Sequence, residues 1–392
     1  MTNPERPERD AVDARTRPLV VIIMLTALLL LLMSLVAVGE WLLPAGDDAQ
    51  MRRALTLREH VPQDNILPLS FTDHSVHPEG RSTVRFQVGP GRYVEPSGTL
   101  PDPDLKIVFL GGSTTENKHA AELERWPYRV GRILDERLDI AVDTWNSGVS
   151  GNDSMHSNLI LLGKIVPLQP DMVVLMHDIN DVVPLLYFDT YWNDSDRGLV
   201  HFEELPGFTD ALAWRVQNLL PDTYRALSVL KRKLSKSEES FAASRRIGDP
   251  QRFDAYRQMF RRSLHTFVST ARIWDIEPVL MTQPGRFKGD DLEALRAEAH
   301  RLGVDPDQMA TLFHLFNDDI RNLARHYEVP LIDLAETFEA GPETMYDFVH
   351  YNDRGSRMIA DLVADGLEGI IRSERGTGLE NGGDPSASRD RS

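Results

Sequence analysis

Two short stretches of this chain carry residue types that can do chemistry together. The first is Ile107-Val108-Phe109-Leu110-Gly111-Gly112-Ser113-Thr114-Thr115-Glu116. Four apolar residues read as a buried parallel strand, two glycines allow a tight turn, and Ser113 stands where a helix should begin. A serine there is held at the carboxyl end of a strand, beside backbone N–H groups able to bind an anion. The second stretch is Asp347-Phe348-Val349-His350, which offers an imidazole base and a carboxylate three residues away to orient it. A serine hydroxyl is a poor nucleophile until a base takes its proton, and neutral imidazole suits that task near pH 7. The carboxylate would fix the imidazole tautomer and stabilise the imidazolium that forms. Ser113, Asp347 and His350 are therefore candidates for a Ser-His-Asp triad, running Ser, Asp, His along the chain.

The elements that must position these residues alternate strand-like and helix-like segments. Strands are expected at Lys106–Leu110, Val142–Asn146, Met172–Met176, Pro278–Thr282 and Pro330–Leu334. Helices are expected at Trp126–Leu138, around Met155–Leu162, and at Phe253–Trp274, Gln308–Tyr327 and Arg354–Ile371. Such alternation predicts an α/β fold with a mostly parallel five-stranded sheet covered on both faces, a three-layer α/β/α sandwich. Sites in such folds lie outside the carboxyl ends of the strands.

Two more polar segments fall at those ends. Asn146-Ser147-Gly148-Val149-Ser150-Gly151-Asn152 closes the second strand, and His177-Asp178-Ile179-Asn180-Asp181 follows the third. Together with Gly111-Gly112-Ser113 and Asp347-x-x-His350, in this order, they resemble the four sequence blocks of the SGNH (GDSL-type) hydrolase superfamily. The resemblance spans residues 105 to about 372. It implies a flavodoxin-like SGNH fold, an acyl-enzyme mechanism on ester substrates and no cofactor. It assigns Ser113 as nucleophile, Asp347 and His350 as its partners, and an oxyanion hole of the Ser113 N–H, the Gly151 N–H and the Asn180 amide, with Gly148 as the alternative glycine. Two departures stand out. Gly-Asp-Ser is Gly-Gly-Ser here, and the glycine opening the third block is Asp178, a carboxylate expected near the oxyanion.

Each residue also has a plainer reading. Ser113 can simply cap the following helix, Asp347 and His350 can be a surface pair, and Asn180-Asp181 a loop turn. His177, Asp178 and Asp181 lack a metal-ligand spacing, and no metal is expected. His300, His314 and His326 fall on helix-like stretches, and Trp126-Pro127-Tyr128 is expected to pack beneath the sheet. The basic cluster Lys231-Arg232-Lys233 reads as a solvated helix face.

The whole chain bounds the setting. Its 392 residues carry a formal net charge of −17, which argues against a nucleic-acid partner. It has no cysteine, which excludes disulfides and thiol chemistry. Leu19 to Val38 is free of charge and contains an unbroken leucine run from Leu28 to Leu32. Roughly 20 such residues cross a hydrocarbon core. The run is too long for the apolar part of a cleaved signal peptide. A single transmembrane helix over residues 18–43 is expected, following a disordered cytoplasmic stretch, 1–17. Arg6, Arg9, Arg15 and Arg17 precede the span, which places the N-terminus on the cytoplasmic side and the bulk outside. The family resemblance implies a bacterial host, hence a single-pass protein of the bacterial cytoplasmic membrane with its catalytic domain periplasmic or extracellular. Residues 44–104 read as a membrane-proximal segment in which Thr83 to Val88 alternates like a strand, and residues 105–373 as the catalytic domain. An insertion, 182–252, reads equally as a lid over the site or as surface decoration; it holds the aromatic cluster Tyr187, Phe188, Tyr191 and Trp192 and a helix-like stretch, Tyr224–Lys236. A tail, 374–392, is expected to be unstructured.

The sequence therefore predicts a membrane-anchored serine esterase or deacetylase whose partner is an ester or acylated glycan. An O-acyltransferase acting on a cell-envelope glycan and a non-catalytic binding protein on the same fold are its alternatives.

Overall fold

Ile107, Val108, Phe109 and Leu110 are completely buried, and they divide alternately between two separate apolar cores. Side chains in a strand have a period of two, so a strand apolar at every position must be covered on both faces. A computed structural model describes residues 21–35, 52–55, 57–69, 82–193, 198–203, 250–287, 296 and 304–380. Among these, a five-stranded sheet is built from β1 (Leu105–Gly111), β2 (Val142–Asn146), β3 (Met172–Met176), β4 (Glu277–Met281) and β5 (Leu331–Ile332). The order is β2-β1-β3-β4-β5 and every pairing is parallel. The last strand is shorter than its apolar run, because Pro330 has no N–H for the ladder and Leu334 already begins a helical turn.

The helices are α1 (Trp126–Leu138), α2 (Ser154–Ile160), α3 (Ile179–Phe188), α4 (Phe253–Ile273), α5 (Pro306–His326) and α6 (Asp353–Glu380). Ile107 and Phe109 face Trp126, Val130 and Leu134 of α1 and Ile359 and Val363 of α6. Val108 and Leu110 face Ile160 of α2, Phe260 of α4 and Phe316 of α5. The rings of Phe260 and Phe316 stack at 4.2 Å. Burying each such side chain contributes about 1.5–3 kcal/mol, which fixes the strands that carry the polar blocks. Because β1 lies between β2 and β3, successive crossovers run in opposite directions and leave a crevice beyond the carboxyl ends of β1 and β3.

Helix α6 runs on to Glu380, into the tail expected to be unstructured. Extending an existing helix costs little compared with nucleating one, so Gly376 and Gly378 do not stop it. Residues 381–392 lie outside the described residues.

The chain divides into two compact units, residues 1–54 with 201–237, and residues 55–200 with 238–392. The first contains a helix over residues 21–35, whose apolar side chains from Val21 to Leu35 are exposed. The remainder of the expected span, 18–20 and 36–43, lies outside the described residues. Among the described residues no helix is long and apolar enough to cross a membrane. A two-stranded ribbon, Arg52–Leu55 with Val200–Glu203, belongs largely to this unit.

The second unit starts well before residue 105. Thr83–Val88 is a strand, as its alternation predicts, and pairs antiparallel with Gln63–Pro68. Val84, Phe86 and Val88 are buried, Val94 bridges to Asn146 of β2, and Arg125 donates to the carbonyls of Arg85 and Glu95. Much of the stretch expected to be membrane-proximal is thus built onto the sheet. Within the insertion, Val182 to Phe188 belong to α3, Tyr191 is buried and Trp192 exposed. Residues 204–249, including Tyr224–Lys236 and the lysine-arginine cluster, lie outside the described residues.

Candidate active site

Strand β1 ends at Gly111, and a single helical turn, Ser113–Glu116, begins two residues later. Ser113 is the first residue of that turn and makes no side-chain cap. Its Oγ lies 2.7 Å from His350 Nε2. His350 Nδ1 in turn lies 2.6 Å from Asp347 Oδ2. The carboxylate can only accept, so Nδ1 carries the proton and donates it, and Nε2 presents its lone pair to the Ser113 hydroxyl. Ser113 is thereby joined in one relay to a pair of residues more than two hundred positions away in the chain.

Asp347 is held from its own loop. Its Oδ1 accepts the backbone N–H groups of Val349 (2.9 Å) and His350 (2.7 Å). Burial pushes the carboxyl up, but the His350 ring beside it and these N–H bonds win, and its pKa lies below the usual range. The ring of Tyr346 stacks parallel to the His350 imidazole at 5.5 Å. Phe348 and Val349, the two residues between the pair, are buried and pin the loop to the core.

The donors expected for an oxyanion converge on the same turn. Gly151 has φ +78°, a conformation that favours glycine, and among the described residues its N–H has no acceptor. Gly148, the alternative, has its N–H taken by Asn146 Oδ1 at 3.0 Å. Asn180, in the first turn of α3, donates from Nδ2 to the carbonyl of Asn152 at 2.8 Å, which leaves its second amide proton for a ligand. Gly112 lies against this amide. A Cβ at that position would run into Asn180 Nδ2, so the amide could not stay where it stands.

Asp178 does not act as the carboxylate that the sequence places near the oxyanion. It is fully buried, and among the described residues neither of its oxygens has a hydrogen-bond partner. Burial first, then the charges of Asp181 and Asp319, push its pKa well above the usual range, which favours the protonated acid over the carboxylate. His177 is likewise interior: burial lowers its pKa to about 3, and its Nε2 pairs with Ser157 Oγ at 2.7 Å. Asp181 takes hydrogen bonds from Ser154 and Tyr191. Trp126 packs beneath the site, its indole N–H on the Thr114 carbonyl at 2.9 Å and its ring edge-on to Phe109. Sequence reasoning passed over Asn152, Glu116, Arg58 and His60, all of which touch the loop that carries Gly151. Glu116 and Asn152 stand inside the segments that close the first and second strands. Arg58 and His60 stand in a stretch whose spacing carries no signal.

Residues 109–358 match the family model of the GDSL-like lipases and acylhydrolases. The chain belongs to this family. It is an acylhydrolase that acts on esters. The match takes in Ser113, Gly151, Asn180, Asp347 and His350. Among curated proteins none matches the chain. Solved structures similar to it include an acetylxylan esterase from Geobacillus stearothermophilus, at 14% identity and a TM-score of 0.42, covering 67% of this chain and 94% of that one. An α/β hydrolase enzyme from the metagenome of Lake Arreo is 16% identical at a TM-score of 0.40, with coverage of 67% and 94%. A GDSL-like lipase from Bacteroides thetaiotaomicron is 13% identical at 0.38, with coverage of 68% and 88%.

Proposed function

We propose that this acylhydrolase works through an acyl-enzyme on Ser113, with His350 as acid–base, Asp347 as its orienting carboxylate, and Gly151, Asn180 and the Ser113 N–H as oxyanion donors. The observation that carries the reading is the continuous relay of 2.7 Å and 2.6 Å from Ser113 through His350 to Asp347. In the first half-reaction, Ser113 Oγ bonds to the ester carbonyl carbon as its proton passes to His350 Nε2. The carbonyl electrons move onto oxygen, where the three donors meet them. The C–O bond to the leaving alcohol then breaks and the alcohol takes the proton from His350. In the second half, His350 draws a proton from water, the hydroxide attacks the acyl carbon, and Ser113 recovers its proton as the acid leaves.

Replacing Ser113 by alanine is expected to lower kcat by about 10⁴–10⁶-fold. A fluorophosphonate probe is expected to label Ser113 in the parent and not in His350→Ala, with the adduct placed by mass spectrometry. Hydrolysis undiminished in Ser113→Ala would sink the assignment.

The setting belongs to the same proposal: the chain is anchored in a bacterial cytoplasmic membrane by one N-terminal span, with the catalytic unit outside the cytoplasm. Support comes from the uncharged run Leu19 to Val38 and from the helix over 21–35, which is apolar and exposed on all sides. An apolar surface of that kind is unfavourable in water and at home in lipid.

A further inference from the structure

A strap of chain over residues 57–61 lies against the loop over residues 148–152, well upstream of residue 109 where the family match begins. Arg58 Nη2 donates to the Ser150 carbonyl at 3.3 Å and Nη1 to the Gly151 carbonyl at 3.1 Å. The Ser150 carbonyl and the Gly151 N–H are the two ends of one planar peptide. A cation on the oxygen end draws electrons from that peptide and makes its N–H a better donor. The Arg58 main chain reaches the other donor as well. Its carbonyl accepts Asn152 Nδ2 at 2.9 Å, and the Asn152 carbonyl accepts Asn180 Nδ2 at 2.8 Å. Asn152 is completely buried, so this link is rigid.

The charges around the loop give the guanidinium a second task. Glu116 is buried; it accepts the Ser150 hydroxyl and faces His60 Nε2 at 3.2 Å. Burial raises its pKa, but His60, Ser150 and Lys118 bring it below the usual range, so it is an anion near neutral pH. An anion beneath the loop opposes negative charge growing on a bound carbonyl oxygen. Arg58 is a cation on the same loop and offsets it.

We propose that Arg58 is a positioning residue of the oxyanion hole: its guanidinium holds and polarises the Ser150–Gly151 peptide, and its carbonyl, through Asn152, aims the Asn180 amide. The role rests on the reading of Ser113 as nucleophile and extends the catalytic machinery into the strap ahead of the family match.

The test uses the full chain in detergent with p-nitrophenyl acetate, each variant assayed well below its own melting temperature. Arg58→Met keeps the stem and removes the fork. Its kcat is expected to fall about 10²-fold with KM within about threefold, the signature of a group that acts in the transition state. Arg58→Lys brings a point charge in place of a two-pronged fork, and its kcat is expected to lie between the two. Guanidinium ion added at low concentration is expected to restore part of the activity of Arg58→Met and none of that of Ser113→Ala. Arg92→Ala loosens the same strap only through Glu59, 3.5 Å away, and is expected to keep kcat within about twofold. A kcat for Arg58→Met within about twofold of the parent overturns the proposal, as does an equal loss in Arg92→Ala. If Arg58→Met does not fold, a kcat for Arg58→Lys equal to the parent's overturns it. Should Ser113→Ala remain active, the nucleophile assignment fails instead; Ser113→Ala inactive beside a fully active Arg58→Met removes the role of Arg58 alone.

Discussion

A serine hydroxyl in water holds its proton too tightly to attack an ester, so the reactivity proposed for Ser113 depends on the atoms around its Oγ. His350 supplies a lone pair at 2.7 Å, and Asp347 decides which ring nitrogen offers it. These residue types and the three-residue spacing of Asp347 and His350 are legible in the sequence. Gly112 is less so, because its importance lies in what a side chain would strike. Gly112→Ala meets no left-handed φ, the value being −92°, but its Cβ would displace the Asn180 amide. Its kcat is expected to fall about 10²–10³-fold, as on loss of an oxyanion donor. The melting temperature should change little, and the double variant with Asn180→Ala should be no worse than either single one, since both remove the same contact. Full activity in Gly112→Ala would show that the amide is not needed where it stands. The choice between Gly151 and Gly148 was open to sequence reasoning for a similar reason. Only the position of Asn146 Oδ1 reveals which N–H is already taken.

At the scale of elements, strand, turn and helix junctions place each polar block, and period-two burial places the strands. The junction between β3 and α3 carries Asp178 where the family resemblance leads one to expect glycine, and burial there raises its pKa and favours the protonated acid. That has a consequence for stability. Between its ordinary pKa near 3.8 and its raised folded value, the folded chain keeps a proton that the unfolded chain has released. Folding is therefore favoured in acid, and stability is lost as pH rises through that window. Asp178→Asn keeps the shape and removes the titration. Its melting temperature is expected to fall less steeply than the parent's as pH rises above that ordinary value, so that the variant gains a few degrees on the parent at the alkaline end. Parallel curves for the two proteins would count against a neutral Asp178. The sequence marked the departure and read it as a charge, because burial, which sets the charge, is a property of packed elements.

For the molecule as a whole, the question is how a catalytic unit is tied to its surroundings. If the N-terminal span is an anchor, the full chain should stay with membranes through an alkaline carbonate wash and leave only with detergent. Release by carbonate alone would exclude a spanning anchor. The unit that begins at residue 55 brings the strap and the hairpin of Gln63–Pro68 and Thr83–Val88 into the same body as the sheet, where the sequence drew a boundary near residue 105. Composition suggested that boundary, since Pro, Gly and charge are plentiful there. Long-range contacts such as those of Arg58, Arg125 and Val94 erase it, and nothing local announces them. The sequence by itself determined the alternating fold, the parallel sheet and the residues able to form the relay, because hydrophobic period and residue chemistry are local properties. Tertiary structure alone decided that the Gly148 N–H is already taken, that Asp178 is buried, and that Arg58 reaches the loop carrying Gly151, because each depends on atoms distant in the chain meeting within a few ångströms.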